Sequence, residues 1–274
     1  MSDPILRDRA EIASADKIAM FIPGALSSVD IFQSARPAWR ASGYGLAFYR
    51  LPGLDGMPLD HDLKIDAAAA RIAAFLARYP KKPVLLVGYS TGAAIALEAA
   101  ARIPEKSRVQ IAAISPAVPY GGGLETALRG GSDLLDSARR TRTLNRTTVW
   151  RDYWKTLLFG RAARSDPTKT PSIEALFAAH GPNIVVPDAR LIRAHSRSLR
   201  RWHPPSAEAL RGVEVAYFIG LNDPVFSQHQ TRRLRASIGS ARIWGYPGDG
   251  HLLFLTRDRL FEDVLRIVEA NNRD

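Results

Sequence analysis

Cysteine is absent from this sequence. That excludes disulfides, thiolate metal sites and a cysteine nucleophile. Long hydrophobic runs are absent too. Nothing approaches the roughly 18 apolar residues that a transmembrane helix needs, so no membrane span is expected. The N-terminal stretch MSDPILRDRAE is charged and lacks the apolar middle of a secretion signal, which predicts a cytoplasmic protein. Lysine is scarce, with 7 against 31 arginines, and acidic residues number only 27, leaving a net charge of +11. A hydrophobic share of 46% with 24% charged residues excludes a disordered chain and describes a globular one.

The positive charge is unevenly spread. Residues 117–212 hold 16 Lys and Arg against 8 Asp and Glu. Such a face can attract anions. No nucleic-acid-binding motif accompanies it, so a solvated surface is the simpler reading and no nucleic-acid partner is expected. One sequon, Asn145-Arg146-Thr147, is read as a chance match to a short motif.

Short apolar runs alternate with helical patterns. Lys17–Ile22, Leu46–Arg50, Val84–Val87, Val109–Ile114, Val213–Ile219 and Ala241–Trp244 read as strands. Asp62–Tyr79, Thr91–Ile103, Arg232–Ile238 and Arg259–Asn271 read as helices, with Ile5–Ile12 as a further edge strand. This alternation predicts an α/β fold, a mostly parallel sheet with helices on both faces. The rhythm fails over residues 117–212, which contain Gly121-Gly122-Gly123, Trp150 and Trp154 near Tyr153, and Pro204-Pro205. About 95 residues is too long for a plain loop, so a largely helical insertion is expected. The core would then be residues 1–116 and 213–274.

Gly88-Tyr89-Ser90-Thr91-Gly92 carries the chemistry. It fits G-x-S-x-G, with a buried strand running in and an alanine-rich helix running out. A sharp turn there lifts the serine hydroxyl above the sheet edge, and the flanking glycines leave room for the turn. Serine needs a base. In the order Ser, acid, His, the base falls on His251 in the loop Gly248-Asp249-Gly250-His251, and the acid on Asp223, just past the strand ending at Ile219. Asp249 competes for the acid's role but stands only two residues from His251. His61, His180, His195, His203 and His229 do not fit the order, although His195 and His203, inside the insertion, could touch substrate. An oxyanion hole needs two backbone donors. Thr91 follows the nucleophile, and Ala25, with Leu26 as the alternative, lies in the turn after the first central strand.

The segments FIPGALSS, YRLPGLDG, VLLVGYSTGAAIAL, GLNDPVF and GDGHLLF resemble the α/β-hydrolase superfamily, and most of all its small esterase, lipase and lysophospholipase-like members. The resemblance covers residues 17–116 and 213–271. It implies a Ser-Asp-His triad, catalysis without metal or cofactor, a small-molecule acyl substrate, and a cap or lid made from the insertion. Two departures stand out. Pro23-Gly24 replaces the usual His-Gly before the oxyanion turn, and Leu51-Pro52-Gly53-Leu54-Asp55-Gly56 replaces a Gly-His-Gly cluster. The expected reaction is hydrolysis of a carboxylic ester through an acyl-enzyme on Ser90. The alternatives are a thioesterase acting on an anionic acyl carrier and a non-catalytic protein that uses the pocket to bind a ligand.

Overall fold

The computed structural model describes residues 3–117, 124–238 and 241–270. Its sheet has seven strands: β1 (Ile5–Arg7), β2 (Lys17–Ile22), β3 (Tyr44–Tyr49), β4 (Val84–Tyr89), β5 (Val109–Ile114), β6 (Glu214–Gly220) and β7 (Ala241–Tyr246). They lie in the order β1-β3-β2-β4-β5-β6-β7. All neighbouring pairs are parallel except β1 with β3. The expected open, mostly parallel sheet is therefore present.

The pleat sorts residues to two cores. Along β2, Ile18, Met20 and Ile22 face one hydrophobic cluster, and Ala19 and Phe21 face the other, as a period of two requires. Helices α3 (Ile65–Leu76) and α4 (Thr91–Arg102) cover the first face with Ala68, Ala69, Ile72, Ala93 and Leu97. Alanines there let the two helices lie close to each other and to the sheet. The opposite face is covered by α2 (Arg36–Ala41) and the C-terminal α11 (Leu260–Ala270). Phe21, fully buried, packs within about 5 Å of Phe32, Trp39 and Phe48. The Trp39 indole N–H donates to the Phe261 carbonyl at 3.1 Å, joining α2 to α11.

Several boundaries differ from expectation by a few residues. Only Ile5–Arg7 forms an edge strand, because Asp8 accepts hydrogen bonds from the Ala10 and Glu11 amides and starts a helix, α1 (Arg9–Ser14). The helix expected from Asp62 begins at Ile65.

At the end of the sheet away from the G-x-S-x-G turn, cations close helix C-termini. Lys82 Nζ donates to the carbonyls of Ile12 and Ala13 at 2.8 Å, and Lys106 Nζ to those of Ala100 and Ala101. Arg108 reaches Tyr79 and Lys82 carbonyls after α3. These charges complement helix dipoles and leftover acceptors.

Between β5 and β6 the described residues form four α-helices: α5 (Leu124–Thr141), α6 (Arg146–Phe159), α7 (Thr170–His180) and α8 (Ala189–Arg201). Gly121-Gly122-Gly123 lie outside the described residues. After β6 come α9 (Gln228–Ile238) and, past β7, the short α10 (Leu253–Thr256). Among the described residues no helix is long and apolar enough to cross a membrane.

Candidate active site

Strand β4 ends at Tyr89, and α4 begins at Thr91. Ser90 makes the whole turn, at φ 51° and ψ −118°. A non-glycine residue with positive φ is held against local preference by its surroundings. Those surroundings demand small neighbours. A Cβ at Gly92 would strike the Ile22 carbonyl, and one at Gly88 would meet the Ala93 Cα at 2.6 Å. Both glycines of the pentapeptide are therefore required by close backbone approach.

The structure brings Ser90, His251 and Asp223 together. Ser90 Oγ lies 3.2 Å from His251 Nε2. His251 Nδ1 lies 2.7 Å from Asp223 Oδ2. The carboxylate can only accept, so Nδ1 carries the ring proton and Nε2 is the acceptor for the serine hydroxyl. Asp223 Oδ1 accepts the amides of Val225 (2.7 Å) and Phe226 (3.0 Å). Both oxygens of this buried carboxylate are thus satisfied, and its direction is fixed. Asp249 does not compete: its carboxylate pairs with Arg257.

The loop bearing His251 is tied down by groups that sequence reading did not single out. The Gly250 and His251 amides each donate at 2.7 Å, to the Leu158 and Leu157 carbonyls at the end of α6. Ser115 Oγ donates to the His251 carbonyl at 2.8 Å. Arg161, just past α6, pairs through Nε with the buried Asp133 at 2.5 Å and donates through Nη2 to the Pro224 carbonyl at 3.2 Å, beside Asp223. Tyr89 packs on the His251 ring at 5.3 Å. Burial pushes its phenol well above the ordinary value, so it stays neutral.

The family follows from comparison at this point. The family model described as the alpha/beta hydrolase family matches residues 19–264. This chain belongs to the alpha/beta hydrolase family. No curated protein matches the sequence. Among solved structures, the hydrolase chain is similar to an esterase from Exiguobacterium antarcticum, with 16% identity, 93% of each chain covered and a TM-score of 0.68. It is also similar to a structure from a study of carboxylesterases of the thaumarchaeon Nitrososphaera gargenis (14% identity, 97% of this chain and 92% of that one, TM-score 0.71). A third is Est816, described as an N-acyl homoserine lactone degrading enzyme (16%, 91% and 92%, TM-score 0.64). At such identities the likeness speaks to the fold alone.

In this α/β-hydrolase the turn after β2 crosses in front of Ser90. A Cβ on Gly24 would come within 2.8 Å of the Ser90 Cβ. The amides of Ala25 and Thr91 have no acceptor among the described residues, whereas the Leu26 amide donates to His195 Nδ1 at 3.0 Å. Of the two candidates in that turn, Leu26 is therefore engaged and Ala25 is not.

A cavity of 1140 Å³ opens over Ser90, bounded by Ala25, Thr91 and His251 on the core side. Trp150, Tyr153, Trp154 and Leu157 of α6 and Ile192 and Leu199 of α8 form much of its outer wall. Among the described residues no lysine or arginine lines it, and the lining carboxylates are Asp30 and Asp258. His195 lines the cavity, and the exposed His203 does not. Some of the insertion's cations are paired within it, Arg140 and Arg164 with Asp152 and Lys155 with Glu174. Among the described residues no three His, Asp or Glu side chains converge as metal ligands would.

Proposed function

We propose that the protein is a serine hydrolase that cleaves an uncharged carboxylic ester with a bulky apolar group. The hydrogen-bonded line from Ser90 through His251 to Asp223, at 3.2 and 2.7 Å, carries this reading. Ser90 Oγ attacks the carbonyl carbon while its proton passes to His251 Nε2. The tetrahedral oxyanion is held by the Ala25 and Thr91 amides. The intermediate collapses as the bond to the leaving oxygen breaks, and His251 returns the proton to that oxygen. Water then enters, gives a proton to His251 and attacks the acyl carbon, and Ser90 Oγ leaves with the proton restored. Asp223 holds the imidazole and stabilises it while charged. The insertion, residues 117–212, acts as a cap that forms the outer wall of the pocket.

The pocket's volume and its aromatic wall support a large apolar substrate. A lining whose described residues include no Lys or Arg favours the neutral ester over an anionic acyl carrier. The test is a panel of p-nitrophenyl esters of graded acyl length, with matched anionic esters, run beside Ser90→Ala and a fluorophosphonate probe. Covalent labelling at Ser90 and a kcat loss of about 10⁶-fold in Ser90→Ala are expected. A folded protein that neither labels nor loses ester turnover on that substitution overturns the reading. Equal kcat/KM for neutral and anionic esters overturns the substrate class.

A further inference from the structure

His195 belongs to the insertion, yet it is 1% exposed and sits against the core. Its two nitrogens have different partners. Nε2 lies 2.8 Å from the Pro52 carbonyl, and Nδ1 lies 3.0 Å from the Leu26 amide nitrogen. A carbonyl only accepts and an amide N–H only donates. Both contacts therefore require one protonation state: neutral, with hydrogen on Nε2 and none on Nδ1. Burial pushes the ring's pKa down, in the sense that keeps it neutral.

The residue it grips is strained. Leu26 has φ 64°, a left-handed conformation that is unfavourable for a non-glycine residue. Such a backbone persists only where the surroundings over-determine it. The same turn is fixed on its other side by Asp55, which accepts from Ser28 Oγ at 2.5 Å and from the Val29 amide at 3.1 Å. Helix α8, which carries His195, is itself fastened to the core. The Leu63 amide donates to the Ala194 carbonyl at 3.0 Å, Arg190 donates to the Leu59 carbonyl at 2.7 Å, and Arg197 pairs with Asp62 at 3.0 Å.

We propose that His195 is a positioning residue for the oxyanion hole. By accepting the Leu26 amide and donating to Pro52, it locks the turn 24–27 so that Ala25 N–H is the donor left facing the reacting carbonyl. The cap thereby completes the catalytic apparatus through α8 as well as walling the pocket. His195 is not a second base, since neither nitrogen is available to take a proton from substrate without breaking the lock. This inference rests on the serine-hydrolase reading above.

The experiment compares wild type with His195→Leu, His195→Asn and His195→Gln. Leucine removes both bonds. Asparagine presents an acceptor near the Nδ1 position, within reach of Leu26. Glutamine extends past it toward Pro52. Removing one oxyanion donor costs about 10²–10³-fold in kcat; displacing it is expected to cost about 10- to 100-fold in His195→Leu, with KM within about threefold. His195→Asn is expected to recover most of that loss and His195→Gln little of it. The rate of fluorophosphonate labelling should follow kcat, because the phosphoryl oxygen uses the same donors. Imidazole ¹⁵N NMR on the wild type should report an Nε2-protonated, neutral His195. Wild-type labelling at Ser90 tells failure of this inference apart from failure of the hydrolase reading. Wild-type kcat in folded His195→Leu overturns the inference. So does an Nδ1-protonated or charged ring at neutral pH, or equal recovery by Asn and Gln. If His195→Leu fails to fold, the Asn–Gln difference and the NMR tautomer decide the matter alone.

Discussion

The two sides of Ser90 are built on opposite electrical plans. On one side His251 leans on a carboxylate, Asp223, whose remaining oxygen is held by two amides. That arrangement suits a ring that must become cationic for an instant. On the other side His195 leans on a carbonyl and an amide, in a buried setting that suits a ring that never charges. His251 and His195 line one cavity, and their partners separate a mobile proton from a fixed one.

The sharpest way to break this contrast is Asp223→Asn. An amide in place of the carboxylate can impose the wrong tautomer on His251, and kcat is expected to fall about 10³- to 10⁴-fold with KM little changed. Steady-state kinetics on the best ester checks it; a loss under tenfold would mean that His251 does not depend on this carboxylate. A smaller effect is expected from Arg161→Leu. It strands the buried Asp133 carboxylate and releases the Pro224 carbonyl beside Asp223. Unfolding in urea should show a loss of about 1–3 kcal/mol, with a several-fold lower kcat. An unchanged midpoint would remove Arg161 from the support of the proton-transfer side.

The smallest effect tests the neutral ring. Burial places the pKa of folded His195 below the ordinary imidazole value of 6.5. The unfolded chain therefore binds a proton at pH values where the folded protein does not. The stability contribution of this group is present above pH 6.5 and is lost as the pH falls through the folded value. Of the charged groups on the surrounding elements, Asp55 is engaged by Ser28 and Val29, Asp62 by Arg197, and Arg190 by the Leu59 carbonyl. Urea midpoints measured between pH 7.5 and 5 should fall with pH in wild type and fall less in His195→Asn. Parallel profiles would show that His195 titrates normally.

Much of the core was legible because strand and helix periods differ and because G-x-S-x-G demands a strand before it and a helix after it. β2 and β5 begin and end where the apolar runs do. The juxtaposition of Ser90, Asp223 and His251 follows from chain order once the sheet is parallel. The amphipathic helices of the insertion carry no such constraint, and their packing depends on contacts far apart in sequence. Nothing near His195 in the chain signals that its ring meets Leu26, 169 positions earlier. Asp133 and Arg161, 28 residues apart, look like ordinary surface charge until the fold buries one of them. The second half of the expected N-terminal strand is a helix because one capping side chain, Asp8, outweighs a weak alternation, leaving only Ile5–Arg7 extended.

The Leu157 and Leu158 carbonyls that receive the amides of the His251 loop have a practical corollary for protein engineering. A chimaera that exchanges the four-helix segment for a foreign one would retain Ser90, Asp223 and His251 and still lose two backbone anchors under the histidine. Grafts aimed at new specificity should therefore keep the last turn of α6 native and vary the outward-facing turns before it.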